Sequence, residues 1–254
     1  MSGTTEVDWR VLRHGASDAP TNMAIDEAVS KEIRDGRSPP TIRIYRWEPS
    51  AVSVGYFGSV DDEVDTEACR EDGIEFVRRR TGGGAVFHDS EGEVTYSIAA
   101  PVERFSDDIT ESYRSICGDV IEGLGSLGIE AEFEPVNDIV ADGRKISGSA
   151  QTRREGVLLQ HGTVLHSVNP RKMFRYLQPD VDKISDKHVD SVYDRVTSVS
   201  RRVDVSVEET YEAVKSGLSR GRETYEGTLT DEEESLAEET AEDRYRSDDW
   251  NLMR

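Results

Sequence analysis

Residues 137–165 read NDIVADGRKISGSAQTRREGVLLQHGTVL, and they contain the clearest secondary-structure signals of the chain. The stretch contains three runs with strand-like composition, at 137–141, 144–150 and 157–165. The first two runs are separated only by Asp142-Gly143, and an Asp-Gly pair in this position is the strongest short-range hairpin signal. The stretch therefore predicts neighbouring strands joined by short turns.

Helices and further strands are predicted on both sides of this stretch. The further strands cover residues 41–45, 51–54, 74–78, 85–87 and 94–99, and the helices cover 20–33, 61–71, 109–127, 169–177, 207–218 and 231–246. Because the strands cluster and several are joined by short turns, we expect an α+β fold with a mixed or antiparallel sheet flanked by helices, rather than a doubly wound parallel sheet. We expect a single domain over 1–254 with polar ends at about 1–8 and 227–254. The acidic run 231–242 is interpreted as a solvated helix.

Charge excludes two classes of function. The chain has 254 residues, with 31 Lys and Arg against 52 Asp and Glu, so its net charge is −21. Phosphate backbones and anionic membranes both require clustered positive charge, so neither nucleic acid nor membrane is expected as a partner. No run approaches the roughly 18 apolar residues of a membrane span, and no signal-type stretch opens the sequence, so a cytoplasmic location is expected.

Lysine is scarce. It occurs at six positions, and arginine supplies most of the positive charge. High acidity with little lysine suits a halophilic protein, because concentrated salt screens the repulsion that a charge of −21 causes. The alternative is an ordinary acidic protein. The two cysteines, Cys69 and Cys117, lie far apart outside any CxxC pattern and are interpreted as packing residues rather than nucleophiles.

A glycine-rich segment is the first candidate site. Residues 78–89 read RRRTGGGAVFHD. Three arginines in so acidic a chain indicate an anionic ligand, and three successive glycines let the backbone approach that ligand and present N–H groups to it. The segment is neither a P-loop nor a dinucleotide fingerprint, because the required spacings are missing. The competing interpretation is a turn with solvent-facing arginines.

The hairpin is the second candidate site. Lys145 is the only lysine between residues 31 and 172, and a retained ammonium suggests a point charge on a phosphate or a developing oxyanion. Asp138 is a candidate magnesium ligand. An exposed hairpin lysine and a turn aspartate are equally compatible with the pattern. His161 lies in an apolar run, where a hydrogen-bonded structural position is favoured, whereas His88 follows the glycines and is more ambiguous.

Taken together, these motifs resemble a known family. RRRTGGGAVFHD, Asn137-Asp138, GRKISGSAQ and HGTVL, in this order, resemble the lipoate-protein ligase catalytic domain of the biotin/lipoate A/B ligase family, over about residues 9–200. The resemblance implies that the chain is a single catalytic domain that activates lipoate or octanoate with ATP and Mg²⁺ to the acyl-adenylate. The acyl group would then pass to a lysine of a lipoyl carrier domain.

The resemblance also implies residue roles. It makes Lys145 the catalytic residue and Asp138 the metal ligand. It assigns binding of the acyl-adenylate to Arg79, Thr81, Gly82, Gly83, Gly84, Ala85, Val86, Phe87, His88, Asp89, Ser147, Gly148, His161, Gly162 and Thr163. One departure follows the glycine-rich segment: Asp89-Ser90-Glu91-Gly92-Glu93 stands where the family has a DxGN-like stretch, which puts Glu93 in the place of an asparagine.

Two rival functions belong to other classes. Related octanoyltransferases take the acyl group from acyl carrier protein, and one group of them uses a cysteine upstream of the lysine as nucleophile. Residues 130–142 contain no cysteine, which favours the ligase. A non-catalytic lipoate binder is the other rival. The carrier implied by the resemblance is a lipoyl domain of a 2-oxoacid dehydrogenase or the glycine-cleavage H protein. Since longer ligases carry a C-terminal accessory domain that we do not expect here, we expect either a separate small accessory protein as a further partner or an enzyme limited to part of the reaction.

Overall fold

The computed structural model describes residues 8–178 and 195–253. Its strands are β1 (Trp9–Ser17), β2 (Thr41–Trp47), β3 (Ala51–Val54), β4 (Glu75–Arg78), β5 (Val86–His88), β6 (Glu93–Pro101), β7 (Glu132–Glu134), β8 (Asp138–Ala141), β9 (Arg144–Arg154), β10 (Val157–Leu165) and β11 (Thr224–Gly227). Its helices are α1 (Ala19–Arg34), α2 (Val60–Glu63), α3 (Thr66–Asp72), α4 (Ile109–Ser126), α5 (Pro170–Tyr176), α6 (Val207–Ser219), α7 (Asp231–Thr240) and α8 (Asp248–Asn251). None of these helices is long and apolar enough to cross a lipid bilayer.

Two sheets form the centre of the described structure. The large sheet has the strand order β11-β1-β2-β6-β10-β9-β8-β7, and the small sheet has the order β4-β3-β5. Strands β11, β1 and β2 pair in parallel, and from β2 onwards the large sheet is antiparallel. The expected α+β fold with a mixed sheet is confirmed.

The predicted hairpin is also confirmed. Strands β8 and β9 pair through Ala141 and Arg144. Between them Asp142 and Gly143 have φ angles of 49° and 67°, the left-handed values of a tight hairpin turn. This turn sets the register that places Lys145 near the start of β9.

The two faces of the large sheet differ in polarity. On β6, the even-numbered residues Val94, Tyr96 and Ile98 join the apolar core beneath α4 and α6. The odd-numbered Thr95 and Ser97 are buried on the opposite face, toward α1. Because strand side chains alternate between faces, one sequence pattern supplies an apolar core on one side, and on the other side polar groups beside a second apolar cluster that packs on α1. The polar face lies toward the small sheet and forms the candidate site.

Some predicted elements are wrong in detail. The helix expected over 61–71 is two short helices, α2 and α3, because Asp65 caps α3 by accepting from the amide of Ala68. Strand β1 was not predicted, since Arg10 interrupts its apolar pattern. In the folded chain Arg10 is buried and forms an ion pair of 2.5 Å with Glu233 of α7. Strands β7 and β11, three and four residues long, were also missed.

The acidic C-terminal run is only partly solvated. Helix α7 packs on α1 and buries Glu233 and Ala237, while its other side is exposed. The segment Ala241–Tyr245 continues it as a π-helix, which buries Tyr245 against Glu27. The solvated-helix interpretation therefore holds for the outer side alone, because the charge of Glu233 is neutralised by a partner far away in sequence.

The crossing of α4 and α6 gives a stability prediction. A Cβ atom at Gly123 would overlap the carbonyl oxygen of Ala213, whereas a Cβ at Gly118, on the same helix, would meet nothing within 4 Å. We expect Gly123→Ala to lower the free energy of unfolding by about 1–3 kcal/mol through overpacking. Gly118→Ala should leave it unchanged or raise it by up to about 1 kcal/mol, because alanine is the better helix former. Denaturant unfolding at fixed salt measures both, and equal effects would contradict the packing described.

Candidate active site

A cavity of about 300 Å³ lies between the polar face of the large sheet and the small sheet. Its apolar wall comes from α1, β2 and α5, and its polar wall from β9, β10 and the glycine-rich segment. The lining residues are Met23, Tyr45, Trp47, Ser53, Arg79, Gly83, Gly84, Ala85, Val86, Phe87, His88, Thr95, Asn137, Lys145, Ser147, Gly148, Ser149, Ala150, His161, Gly162, Thr163, Leu165, Met173, Leu177 and Val196. An apolar cavity with a few convergent polar groups is typical of a small-molecule site.

The side chain of Lys145 runs along β9, over Gly148, and its end lines the cavity. Its side chain is 44% exposed, and its Nζ lies 2.7 Å from Oδ1 of Asp138. A Cβ atom at Gly148 would lie 2.7 Å from the same Nζ. The glycine therefore leaves the space in which the ammonium lies, and Asp138 holds the ammonium at the cavity wall.

Arg79 is a buried cation in the opposite wall. It is 3% exposed, and burial lowers the pKa of its guanidinium to about 10. Its Nη2 donates to the carbonyl oxygens of Gly82 and Gly84 at 2.7 and 2.8 Å. Within the described residues no carboxylate lies close enough to form an ion pair with it. The carboxylate of Glu63 stabilises the charge from a distance, but burial outweighs it, and a buried positive charge without a contacting counter-ion favours an anionic ligand.

The glycine-rich segment packs against residue 55 with no room for side chains. A Cβ atom at Gly55 would overlap the carbonyl oxygen of Gly83. The backbone of Gly83 has a φ angle of 91°. Glycine is thus required at both positions, at Gly55 for the close approach and at Gly83 for the backbone conformation. The amide of Ala85 donates to Glu63 at 2.6 Å and fixes the end of the segment.

The other two arginines of the RRR run do not line the cavity. Arg78 is fully buried and donates to the carbonyl oxygens of Gly55 and Gly58 at 2.9 and 2.7 Å. Arg80 pairs with the buried Glu27 at 3.1 Å. The expectation that the arginines bind an anion therefore applies geometrically to Arg79 alone, and the solvent-facing alternative is wrong for Arg78 and Arg79.

His161 belongs to a buried polar network at the cavity wall. Its Nε2 lies 2.7 Å from Oγ1 of Thr81, and its Nδ1 lies 3.4 Å from Asp26. Asp26 forms an ion pair of 2.8 Å with Arg43. Burial would raise the pKa of Asp26, but Arg43 and His161 outweigh it and lower that pKa. Burial lowers the pKa of His161, so its ring is neutral at pH 7. The structural position expected for His161 is observed, and the residue lines the cavity as well.

His88 belongs to a second network. Its Nδ1 lies 2.8 Å from Oε1 of Glu93, and its Nε2 lies 2.8 Å from Oγ of Ser53. The ring stacks on Trp47 with centroids 3.8 Å apart. Thr95 donates to the same Glu93 oxygen at 2.5 Å. The departure at Glu93 therefore places a buried carboxylate behind the imidazole.

Most of the predicted site residues come together. Those that do not line the cavity are Thr81, Gly82, Asp89 and Asp138. The hydroxyl of Thr81 contacts both Arg79 and His161, and the carbonyl oxygen of Gly82 accepts a hydrogen bond from Arg79. Asp89 instead pairs with Lys172 at 3.1 Å. Tyr45, Trp47 and Ser53 also line the cavity but were not predicted, because they stand in strand-like runs typical of core strands and carry no local signal of a site.

Among the described residues, the geometry offers only one carboxylate, that of Asp138, for the expected Mg²⁺ ion. Within residues 8–178 and 195–253, no group of three or more His, Cys, Asp or Glu side chains is placed to hold a metal ion. Asp138 is a single carboxylate and already faces Lys145. Mg²⁺ is commonly held by one or two carboxylates together with substrate phosphates, so Asp138 fits this ion only when a substrate supplies the other ligands.

Comparison with known proteins identifies the family. Residues 18–219 match the model of the lipoyl protein ligase A/B catalytic domain, so the chain belongs to this family. It is 35% identical to octanoyltransferase LipM of Brevibacillus brevis, over 97% of this chain and 99% of that protein. It is also 36% identical to octanoyltransferase LipM of Kyrpidia tusciae, over 97% of this chain and 99% of that protein.

Solved structures give the same fold. A bipartite lipoate protein ligase of Thermoplasma acidophilum, studied with its E2 lipoyl domain, superposes with a TM-score of 0.88 at 32% identity, covering 98% of each chain. A lipoate-protein ligase A bound with ATP superposes with a TM-score of 0.83 at 32% identity, covering 98% of this chain and 99% of that one. The ligase-like fold is confirmed. The names of the sequence relatives support the octanoyltransferase alternative better than the ATP-dependent ligase preferred from the sequence.

Neither cysteine faces the cavity. Cys117 lies in the core beneath the large sheet, and Cys69 lies on the buried side of α3. Burial raises the pKa of each thiol to about 11. Both cysteines of the chain are therefore packing residues, as expected from the sequence, and the cavity has no thiol nucleophile.

Thiol labelling tests this arrangement. At pH 8, a pKa of about 11 leaves roughly one thiol in a thousand as the reactive thiolate. We expect iodoacetamide to modify neither cysteine of the folded protein within an hour, and both in denaturant, as measured by intact mass. Rapid modification of Cys117 in the folded protein would show a thiol that the cavity can use.

Proposed function

We propose that this chain attaches a medium-chain acyl group, octanoyl or lipoyl, to a lysine of a lipoyl carrier domain. The observation that carries the proposal is the placement of two cations, Lys145 and the buried Arg79, in the wall of one apolar cavity. The apolar part suits an eight-carbon chain. The two cations suit the negative charge that develops on an activated carboxyl group during transfer.

The first candidate for the acyl donor is an octanoyl thioester on acyl carrier protein. This candidate is favoured by the LipM octanoyltransferases, which match this chain along almost its whole length. The carrier lysine would attack the thioester carbonyl, and Lys145 would stabilise the oxyanion that forms there. The sulfur would leave with a proton.

The second candidate is an acyl-adenylate made from the free acid and ATP. It is favoured by a specific observation, the lack of a thiol in the cavity, since an adenylate needs no acyl-cysteine intermediate. Arg79 and Lys145 would then bind the carboxylate and the α-phosphate. Asp138 would hold Mg²⁺ together with the phosphates, and the metal would neutralise part of their charge.

Mass spectrometry of a lipoyl domain separates the candidates. The domain is incubated with this chain and either octanoyl-acyl carrier protein or ATP, Mg²⁺ and lipoate, with and without a candidate accessory protein. We expect one acyl group on the carrier lysine from at least one donor. Lys145→Ala should lower the rate by about 100-fold or more, because an oxyanion-stabilising group is lost.

Lys215→Ala is the matched control. Lys215 lies on α6 and pairs with Glu212 and Glu226, away from the cavity. This variant should transfer at the wild-type rate. Absence of transfer from both donors, with and without the accessory protein, would refute the proposed function. Pyrophosphate exchange that depends on lipoate would select the ligase, and a lipoate complex with no transfer would select the binder.

Salt dependence tests the halophilic proposal. The net charge is −21, and the screening length falls from about 10 Å at 0.1 M salt to about 3 Å at 1 M. We expect the unfolding temperature and the transfer rate to rise between these concentrations, because repulsion within the chain and toward an acidic carrier is screened. A transfer rate that falls steadily up to molar salt would contradict this proposal.

A further inference from the structure

A serine in the cavity wall has the partners of an activated nucleophile. Oγ of Ser53 lies 2.8 Å from Nε2 of His88, and Nδ1 of His88 lies 2.8 Å from Oε1 of Glu93. Ser53 and His88 both line the cavity, while Glu93 is buried behind the imidazole. A hydroxyl, an imidazole and a carboxylate in this order are the elements of an acyl-transfer triad.

The two sheets build this arrangement from separate parts of the chain. In the small sheet Ser53 pairs with Val86, and Ala51 pairs with His88, so Ser53 and His88 are diagonal neighbours on one face. Val52 and Phe87 point to the other face and join the core beside α3. Glu93 begins β6 of the large sheet. The triad therefore bridges the two sheets.

The hydrogen bonds favour one tautomer of a neutral imidazole. When Glu93 is a carboxylate it can only accept, so Nδ1 of His88 then donates to it and Nε2 accepts from the hydroxyl of Ser53. Stacking on Trp47 holds the ring in this plane. Arg79 donates through Nη1 to Oγ of Ser53 at 3.1 Å, which places a buried positive charge beside the oxygen. This charge stabilises the oxygen as its proton leaves.

We propose that Ser53 is an acyl-accepting nucleophile, which takes the octanoyl group from a thioester donor and passes it to the carrier lysine. The hydroxyl oxygen attacks the thioester carbonyl while its proton moves to Nε2 of His88. The carbon–sulfur bond breaks, and the thiol leaves with that proton, so that an ester of Ser53 remains. The carrier amine then attacks the ester and gives a proton to His88, and this proton returns to the serine oxygen as the amide forms.

A second buried hydroxyl makes similar contacts but is a poorer candidate. Thr81 lies 2.7 Å from Nε2 of His161 and also accepts from Arg79. Both hydroxyls are buried, Thr81 fully and Ser53 at 2% exposure, but only Ser53 lines the cavity. Of these two hydroxyls, an acyl donor in the cavity can therefore reach Ser53 and not Thr81. The triad also supplies the nucleophile that the two buried cysteines cannot.

This inference rests on the thioester donor of the proposed function. The experiment below distinguishes a failure of the serine nucleophile from a failure of the proposed acyl transfer. The full chain is incubated with octanoyl-acyl carrier protein without a lipoyl domain, quenched in acid, and analysed by intact mass and peptide mapping. We expect one octanoyl group, on Ser53. Ser53→Ala should lose it, and Ser53→Cys should carry it as a thioester that neutral hydroxylamine removes. His88→Asn should slow its formation by about 100-fold or more.

Ser50→Ala is the matched control. Ser50 is a buried serine directly before β3, the strand that carries Ser53, and its hydroxyl donates to Ser90 outside the cavity. This variant should keep the adduct. Acylation of the lipoyl domain by Ser53→Ala at the wild-type rate would overturn the inference while the proposed function stands. An adduct on another residue, or none in wild type, would overturn it equally. If Ser53→Ala does not fold, Ser53→Cys is the test: an octanoyl group that hydroxylamine removes supports the inference, and its absence contradicts it.

Discussion

The buried guanidinium of Arg79 is the interaction on which the candidate site depends. It is enclosed by carbonyl oxygens of the glycine-rich segment and by the hydroxyls of Ser53 and Thr81. Burying a charge without a contacting counter-ion is costly, and here the carbonyl and hydroxyl dipoles, together with the more distant carboxylate of Glu63, offset only part of that cost. The segment is therefore shaped around the cation, and the cation is left ready to receive negative charge from the cavity.

Two imidazoles extend this arrangement. His88 and His161 each join a hydroxyl that contacts Arg79 to a buried carboxylate, Glu93 in one case and Asp26 in the other. Buried polar groups that satisfy one another rigidify their surroundings, whereas partly satisfied ones are expensive. The second oxygen of Glu93 and Nε of Arg43 have no hydrogen-bond partner within the described residues. The polar layer thus carries a free-energy cost beside a well-packed apolar core, which is common at functional sites.

Much of the fold could be predicted from the sequence because its signals are local. The Asp142-Gly143 turn, the alternation along β6 and β10, and the period of α4 each depend on residues close together in the chain. Strand β1 could not be predicted, because Arg10 is acceptable in a buried strand only when Glu233 approaches it from 223 positions away. Local patterns contain no information about such a partner.

The site shows the same difference between residues with a local sequence signal and residues whose role depends on a distant partner. Lys145, Arg79 and the glycines were found because charge and glycine stand out in an acidic chain. Ser53 was missed because AVSV is an ordinary core strand, and its role depends on an imidazole 35 positions away. The sequence placed Asp89 among the binding residues. Its position away from the cavity lining could not be predicted, since only the folded chain brings Lys172 to it.

The attachment of Arg78 has a consequence for the end of the chain. Its backbone amide donates to the side chain of Asn251, and its carbonyl oxygen accepts from Nε1 of Trp250, while its guanidinium holds the turn at residues 55–58. Both tail residues lie beyond residue 219, where the family match ends. Docking of the tail and order in the glycine-rich segment are therefore thermodynamically linked, and linkage is reciprocal. An occupant of the cavity that further ordered that segment would also tighten the hold on the tail, and a force that pulled the tail away would weaken the occupant's binding.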